Sequence, residues 1–184
     1  RMNPYNVQKA SQGLSTYIKD NGEGELSVAI AYDSRRYSDT FALEAARVFC
    51  GNGIKAYVFS SLRPTPELSY TVRKLKCTAG IVVTASHNPP EYNGYKVYWS
   101  DGGQIISPHD KGIIEEVRTV ETIHHVSEKE ALEKKLLFYI DKEMDDAYVQ
   151  TVKGYSLRPE VFKEAAGDVS VVYTPLHGTG TMLV

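Results

Sequence analysis

Ser27-Val28-Ala29-Ile30-Ala31-Tyr32 is the stretch on which the reading of the fold turns. It is short, and apolar residues run through it almost without alternation. A strand with one wet face alternates apolar and polar residues; a strand covered on both faces does not, so this run predicts a buried strand of a parallel sheet. Ala79 to Thr84 has the same character, and Ile54 to Phe59 reads as a further strand between the two. Helical patterns separate them. Ser38 or Asp39 is placed to cap a helix carrying Phe41, Ala42, Ala45, Ala46, Val48 and Phe49, which Gly51 and Gly53 end. Leu62-Arg63-Pro64-Thr65-Pro66 leads stiffly into another helix through Leu68, Val72 and Leu75. Upstream, Asn3 is a good N-cap, Pro4 suits the first helical position, and Val7, Ala10, Leu14, Tyr17 and Ile18 recur at helical spacing until Asn21-Gly22. Strand and helix in alternation imply right-handed crossovers and an α/β fold: a mixed, largely parallel sheet flanked by helices.

The remaining composition narrows the function classes. The chain has 184 residues, 42% of them hydrophobic and 24% charged, which suits a folded soluble domain and argues against disorder or low-complexity arrays. No apolar stretch approaches the roughly 20 residues of a membrane helix, so no membrane partner is expected. A net charge of -2 offers no electrostatic footprint for nucleic acid. Cys50 and Cys77 cannot form a disulfide framework or a zinc site, and a reduced, cytoplasmic setting is the expectation.

Beyond the third strand the pattern changes. Tyr95 to Trp99 reads as a strand and Ser100-Asp101-Gly102-Gly103 as a turn. Residues 108–154 read as mostly helical and charged. Their acidic clusters match no calcium loop, and a solvated helix face accounts for them. Asp168 to Thr174 reads as a new strand running into Pro175-Leu176-His177-Gly178-Thr179-Gly180. The expected division is one domain over residues 1–155 and the opening of a second α/β domain over residues 156–184.

Chemistry concentrates in Thr84-Ala85-Ser86-His87-Asn88-Pro89-Pro90-Glu91-Tyr92-Asn93-Gly94-Tyr95-Lys96. The segment leaves the carboxyl end of a buried strand, where open α/β sheets place their ligand crevice. Prolines, asparagines and a glycine force a stiff, irregular loop. A serine fixed there, with a histidine beside it, a lysine ten positions on and backbone N–H groups to meet an anion, suits a serine that carries a phosphoryl group. Ser-His alone is equally readable as a turn with capping side chains. Arg35 is readable as a phosphate contact or as an ion pair with Asp33. His87 is readable as a proton-transfer group or as a hydrogen-bonding loop residue.

The string Thr-Ala-Ser-His-Asn-Pro, followed by Asn93-Gly94-Tyr95-Lys96-Val97-Tyr98, resembles the active-site serine loop of the α-D-phosphohexomutases, the phosphoglucomutase and phosphomannomutase superfamily. The resemblance extends over most of the chain, from Arg1-Met2-Asn3 onward. Tyr98 to Gln104 and Tyr173 to Gly180 look most like a bacterial branch that includes phosphoglucomutases and phosphopentomutases. It implies the first domain of that fold, with Ser86 as the phosphoserine, Lys96 and His87 near the reacting groups, and Arg35 and Asn88 as phosphate contacts. It further implies interconversion of 1-phospho and 6-phospho (or 5-phospho) sugars through a sugar bisphosphate. One Mg2+ would be held by the serine phosphate and the aspartates of an Asp-Gly-Asp-x-Asp-Arg loop, with a glucose 1,6-bisphosphate-type activator. That aspartate loop does not occur in the 184 residues. The chain is therefore expected to be an N-terminal fragment that works with remaining domains of the same protein and is inactive alone. Two other readings of the serine are a non-catalytic sugar-phosphate-binding domain and a serine hydrolase. The hydrolase reading lacks a Gly-x-Ser-x-Gly elbow and an oriented acid.

Overall fold

A computed structural model describes residues 2–184; Arg1 lies outside the described residues. The elements run α1 (Pro4–Asn21), β1 (Ser27–Tyr32), α2 (Ser38–Gly51), β2 (Lys55–Val58), α3 (Thr65–Lys74), β3 (Ala79–Val83), β4 (Tyr95–Trp99), α4 (His109–Thr119), α5 (Glu128–Glu133), β5 (Leu137–Tyr139), α6 (Lys142–Gly154) and α7 (Pro159–Ala165). A 3-10 turn, Gly180–Met182, follows. The five strands form one sheet in the order β4-β3-β1-β2-β5. All neighbours are parallel except β3 and β4, which pair antiparallel. This is the mixed, largely parallel α/β sheet that the strand and helix alternation predicts.

The uninterrupted apolar run of β1 has its cause in two separate cores. Val28 and Ile30 face one, with Leu14 and Ile18 of α1 and Phe41 and Phe49 of α2. Ala29 and Ala31 face the other, with Leu68 and Val72 of α3 and Met144 of α6. Every residue of β1 and of β3 is buried, so neither strand has a wet face on which to alternate. Asn3 caps α1 as expected, its side chain accepting from the Asn6 N–H at 2.9 Å.

Three local expectations need correction. The helical, charged stretch 108–154 contains a strand, β5, which extends the sheet beyond β2. Its three residues are too few to show a period. α2 is not capped by the side chain of Ser38 or Asp39: the cap position is Tyr37, in left-handed backbone with no side-chain cap bond. The Ser38 hydroxyl instead donates to Asp33. Asp168 to Thr174 forms no strand. A strand exists only with a ladder partner, and this segment has none among the described residues, leaving Val171 and Val172 at 80% and 98% exposure.

Buried ionisable groups tie α3 to α6. Arg63, fully buried, makes a two-pronged bond to Asp145, from Nε to Oδ1 at 2.7 Å and from Nη2 to Oδ2 at 2.9 Å. Glu67, one turn along α3, is also fully buried, and no donor of a neighbour reaches either of its oxygens. Its closest cation, Arg63 Nε, is 3.8 Å away. Protonation resolves the conflict, because a neutral Glu67 can donate its own O–H to Asp145. Burial, then the facing Asp145, push Glu67 from its usual 4.5 up to about 8, against the opposing charge of Arg63. Burial also acts to raise Asp145, but the bonds from Arg63 and Glu67 outweigh it and hold that carboxyl low.

The sign of the pH dependence follows. Between the unfolded and folded values of Glu67, the folded chain keeps a proton that the unfolded chain releases, so stability falls as pH rises across that window. Melting followed by circular dichroism from about pH 5 to about pH 9 will show Tm declining, and Glu67→Gln, which keeps a donor and removes the titration, will flatten that decline. An unchanged slope in Glu67→Gln contradicts a protonated Glu67.

Candidate active site

The sheet order places two loops side by side. From β1 the chain goes through α2 to β2 on one flank, then returns through α3 to β3 on the other flank. The connections after β1 and β3 therefore meet at the point where the winding reverses, the usual ligand crevice of open α/β sheets. The first connection carries Asp33, Ser34 and Arg35; the second carries Thr84 to Gly94. Two backbone bonds clamp their base, Asp33 N to the Val83 carbonyl at 3.2 Å and Thr84 N to the Gly94 carbonyl at 3.0 Å.

Arg35 joins the loops. Its Nε donates to Asp33 Oδ2 at 2.9 Å. Nη1 donates to the carbonyls of Pro89 at 2.7 Å and Tyr92 at 3.1 Å. Nη2 donates to the carbonyls of Ser86 and of Asn88, the latter at 2.7 Å. A guanidinium has five N–H donors, and these bonds use all of them. Although the serine loop is exposed, the Arg35 side chain is only 8% exposed. The structure thus gives the ion pair with Asp33 and leaves Arg35 no donor for a phosphate.

Asp33 extends the network. Its Oδ1 accepts from Arg35 N at 3.0 Å and Ser38 Oγ at 2.9 Å, and its Oδ2 accepts from Thr84 Oγ1 at 2.6 Å. The Thr84 hydroxyl then accepts the Ser86 N–H at 3.0 Å. From the far side, Asn93 Nδ2 donates to Ser38 Oγ at 2.8 Å and its Oδ1 accepts from Gly94 N at 2.9 Å. Sequence reasoning gave Thr84 and Asn93 no individual roles and read Ser38 only as a possible helix cap. The two bonds that close the network, Thr84 to Asp33 and Asn93 to Ser38, join residues 51 and 55 positions apart, and only the polar character of the loop hinted at them.

Ser86 sits at the end of this chain of bonds in left-handed backbone, φ 59, which costs a side-chain-bearing residue about 1–2 kcal/mol. It lines a cavity of about 740 Å³ together with the Asp33–Arg35 loop, the rest of the loop to Pro90 and Pro175 to Gly178. That is room for a sugar phosphate. A smaller adjoining cavity of about 280 Å³ runs from Ser86 and His87 toward Arg63 and Thr65. His87 Nδ1 lies 3.4 Å from Ser86 Oγ, a long contact, and no carboxylate is bonded to the ring among the described residues. This is not the oriented imidazole of a serine hydrolase. Asn88 lines the larger cavity. Lys96 lies across the ladder from Val82, which lines the smaller cavity, and among the described residues its ammonium has no hydrogen-bond or ion-pair partner; Lys96 itself lines neither cavity. The Ser86 N–H is occupied by Thr84, whereas the neighbouring His87 N–H has no hydrogen-bond partner among the described residues.

His177 reaches the site through backbone, its carbonyl accepting from Ser34 Oγ at 3.0 Å. No group of three or more His, Cys, Asp or Glu side chains among the described residues converges as a metal site. Asp33 is already saturated by Arg35, Ser38 and Thr84. The aspartates that the resemblance assigns to magnesium are not in this sequence, and Ser86, through a phosphate, is the ligand that these residues would supply. Among the described residues no helix is long and apolar enough to cross a membrane. The left-handed Ser86 makes one prediction: Ser86→Gly will be about 1 kcal/mol more stable than Ser86→Ala in urea unfolding, because glycine bears φ 59 without strain. Equal stability of the two variants contradicts the strain.

The model of the family described as phosphoglucomutase/phosphomannomutase, alpha/beta/alpha domain I, matches residues 1–124. A Haemophilus influenzae protein named a probable phosphomannomutase is 40% identical over 182 residues, covering 97% of this chain and 36% of that protein. The human phosphopentomutase is 36% identical over 194 residues, covering 100% of this chain and 31% of that one. The open form of the Paramecium phosphoglucomutase parafusin superposes with a TM-score of 0.79 over 96% of this chain and 36% of its own, and at 19% identity that likeness speaks for the fold. The chain spans about a third of the length of the curated relatives it matches. Matched by domain I along most of its length, with the serine loop at the carboxyl end of β3, this chain belongs to the phosphoglucomutase/phosphomannomutase family.

Proposed function

We propose that this chain supplies the phosphoryl-carrying serine of a phosphosugar mutase, an isomerase acting on hexose or pentose monophosphates. The observation that carries the reading is Ser86, held in left-handed backbone in the wall of a cavity large enough for a phosphosugar. Phosphorylated Ser86 gives its phosphoryl group to a free hydroxyl of the sugar phosphate. The P–Oγ bond breaks, a P–O bond to the sugar forms, and the hydroxyl proton is taken up and returned to Ser86 Oγ. His87 is the group within reach of that oxygen. The product is a sugar bisphosphate. Turned end for end in the cavity, it returns its other phosphoryl group to Ser86 and leaves as the isomeric monophosphate.

Such a transfer depends on position and on charge neutralisation more than on covalent chemistry. Lys96, without a partner among the described residues, and the His87 N–H are the groups that meet the phosphate oxygens, and the Asn88 amide contacts the sugar phosphate from the cavity wall. A sugar 1,6-bisphosphate primes an unphosphorylated serine. Magnesium, when bound, would add a counter-charge, with the Ser86 phosphate as one ligand and the remaining ligands from outside this residue set. Residues 156–184 begin a second unit that completes the cleft together with further domains of the same protein.

The test is intact mass with phosphopeptide mapping of the full-length protein purified from cells and after incubation with a sugar bisphosphate. One phosphate on the peptide holding Ser86, absent in Ser86→Ala, is the expected result. A Ser86 that stays unmodified under both conditions contradicts the mutase reading and leaves a sugar-phosphate-binding domain.

A further inference from the structure

We propose that Arg35, held by Asp33, is a positioning residue that sets the reactive conformation of Ser86 without touching substrate. As a role in phosphoryl transfer this rests on the mutase reading above; as a statement about the loop it stands by itself.

Four of the five acceptors around Arg35 are main-chain carbonyls of the serine loop, at Ser86, Asn88, Pro89 and Tyr92. The loop contains two prolines, which have no N–H, and its internal backbone bonds are few: Asn88 N to Ala85 O at 3.2 Å and Tyr92 N to Pro89 O at 3.0 Å. The loop is thus wrapped around a cation in place of a ladder. One guanidinium fixes the directions of four peptide planes, including the plane that follows Ser86. Asp33 fixes the guanidinium and, through Thr84, the N–H on the other side of Ser86. Both peptide groups flanking the serine are therefore set by a single ion pair, and the left-handed φ between them is the conformation that satisfies both. A lysine cannot replace this arrangement. Its ammonium is a compact charge with three donors and cannot span five acceptors in one plane.

The prediction separates positioning from general stability. In Arg35→Ala, phosphorylation of Ser86 by a sugar bisphosphate will slow by about a hundredfold, the scale of a displacement near 1 Å at a reacting group. Arg35→Lys will not restore the rate, whereas added guanidinium ion will restore part of it in Arg35→Ala. Hydrogen exchange gives an independent reading: peptides covering residues 86–92 will lose protection in Arg35→Ala while peptides covering β1 and β3 keep theirs. Thr84→Val, which keeps every charge, will slow phosphorylation and leave the melting temperature close to that of the parent. Wild-type phosphorylation and exchange in Arg35→Ala overturn the proposal, as does full activity in Arg35→Lys. If the unaltered protein takes no phosphate on Ser86, the mutase reading fails, and the exchange result alone decides whether Arg35 sets the loop.

Discussion

Everything in this molecule is arranged around one strand. β1 is hydrogen-bonded along both edges, to β2 and to β3, and is covered on both faces, so no residue of it meets water. A strand in that position is the hardest to displace, because moving it exposes two cores and breaks two ladders at once. Its carboxyl end is consequently the most rigid platform the fold offers. The residue that leaves it, Asp33, is bonded to Arg35, Ser38 and Thr84, and through Thr84 to the amide of Ser86. Rigidity passes from sheet to carboxylate to serine over a few bonds.

That arrangement explains how an exposed loop keeps a strained residue. A left-handed serine persists only where neighbours over-determine it. Here the over-determination is electrostatic: the loop offers carbonyl oxygens, and a guanidinium from the neighbouring connection takes them. The cost falls on the loop and the compensation comes from the sheet, which holds Asp33 and Arg35 in place. The second buried ionic group, Arg63 with Glu67 and Asp145, plays a different part on the opposite face of the sheet, where it joins α3 to α6. Arg63 also lines the smaller cavity that reaches Ser86, so the connection after β2 is pinned close to the serine by its own ion pair.

Much of this was legible in the sequence, and the exceptions have physical reasons. β1 and β3 announce themselves as apolar runs because both faces are buried, and α1 announces itself through Asn3, Pro4 and its spacing. β4 was readable from Tyr95 to Trp99, and its antiparallel pairing makes the sheet mixed. β5 was not readable, since three residues carry no period and the neighbouring charges belong to helices. The strand read at Asp168 to Thr174 failed for the opposite reason: its composition favours a strand, but a strand is made by its partner. Ser86, His87, Asn88 and Lys96 were visible as a motif; the first three line the larger cavity, whereas Lys96 lies across the ladder from Val82 and lines neither cavity. The job of Arg35 was not decidable, because an arginine near a serine loop has the same sequence signature whether it binds phosphate or backbone. Only the geometry, with every donor bonded to protein, distinguishes the two.

The central claim is that Ser86 hands a phosphoryl group to a sugar. The most direct measurement starts from full-length protein carrying radiolabelled phosphate on Ser86, mixed with an unlabelled hexose or pentose monophosphate and quenched at short times. The account predicts that label leaves the protein and appears in a sugar bisphosphate before it appears in monophosphate. Label that stays on the protein, or departs only as inorganic phosphate at the rate seen without sugar, contradicts it.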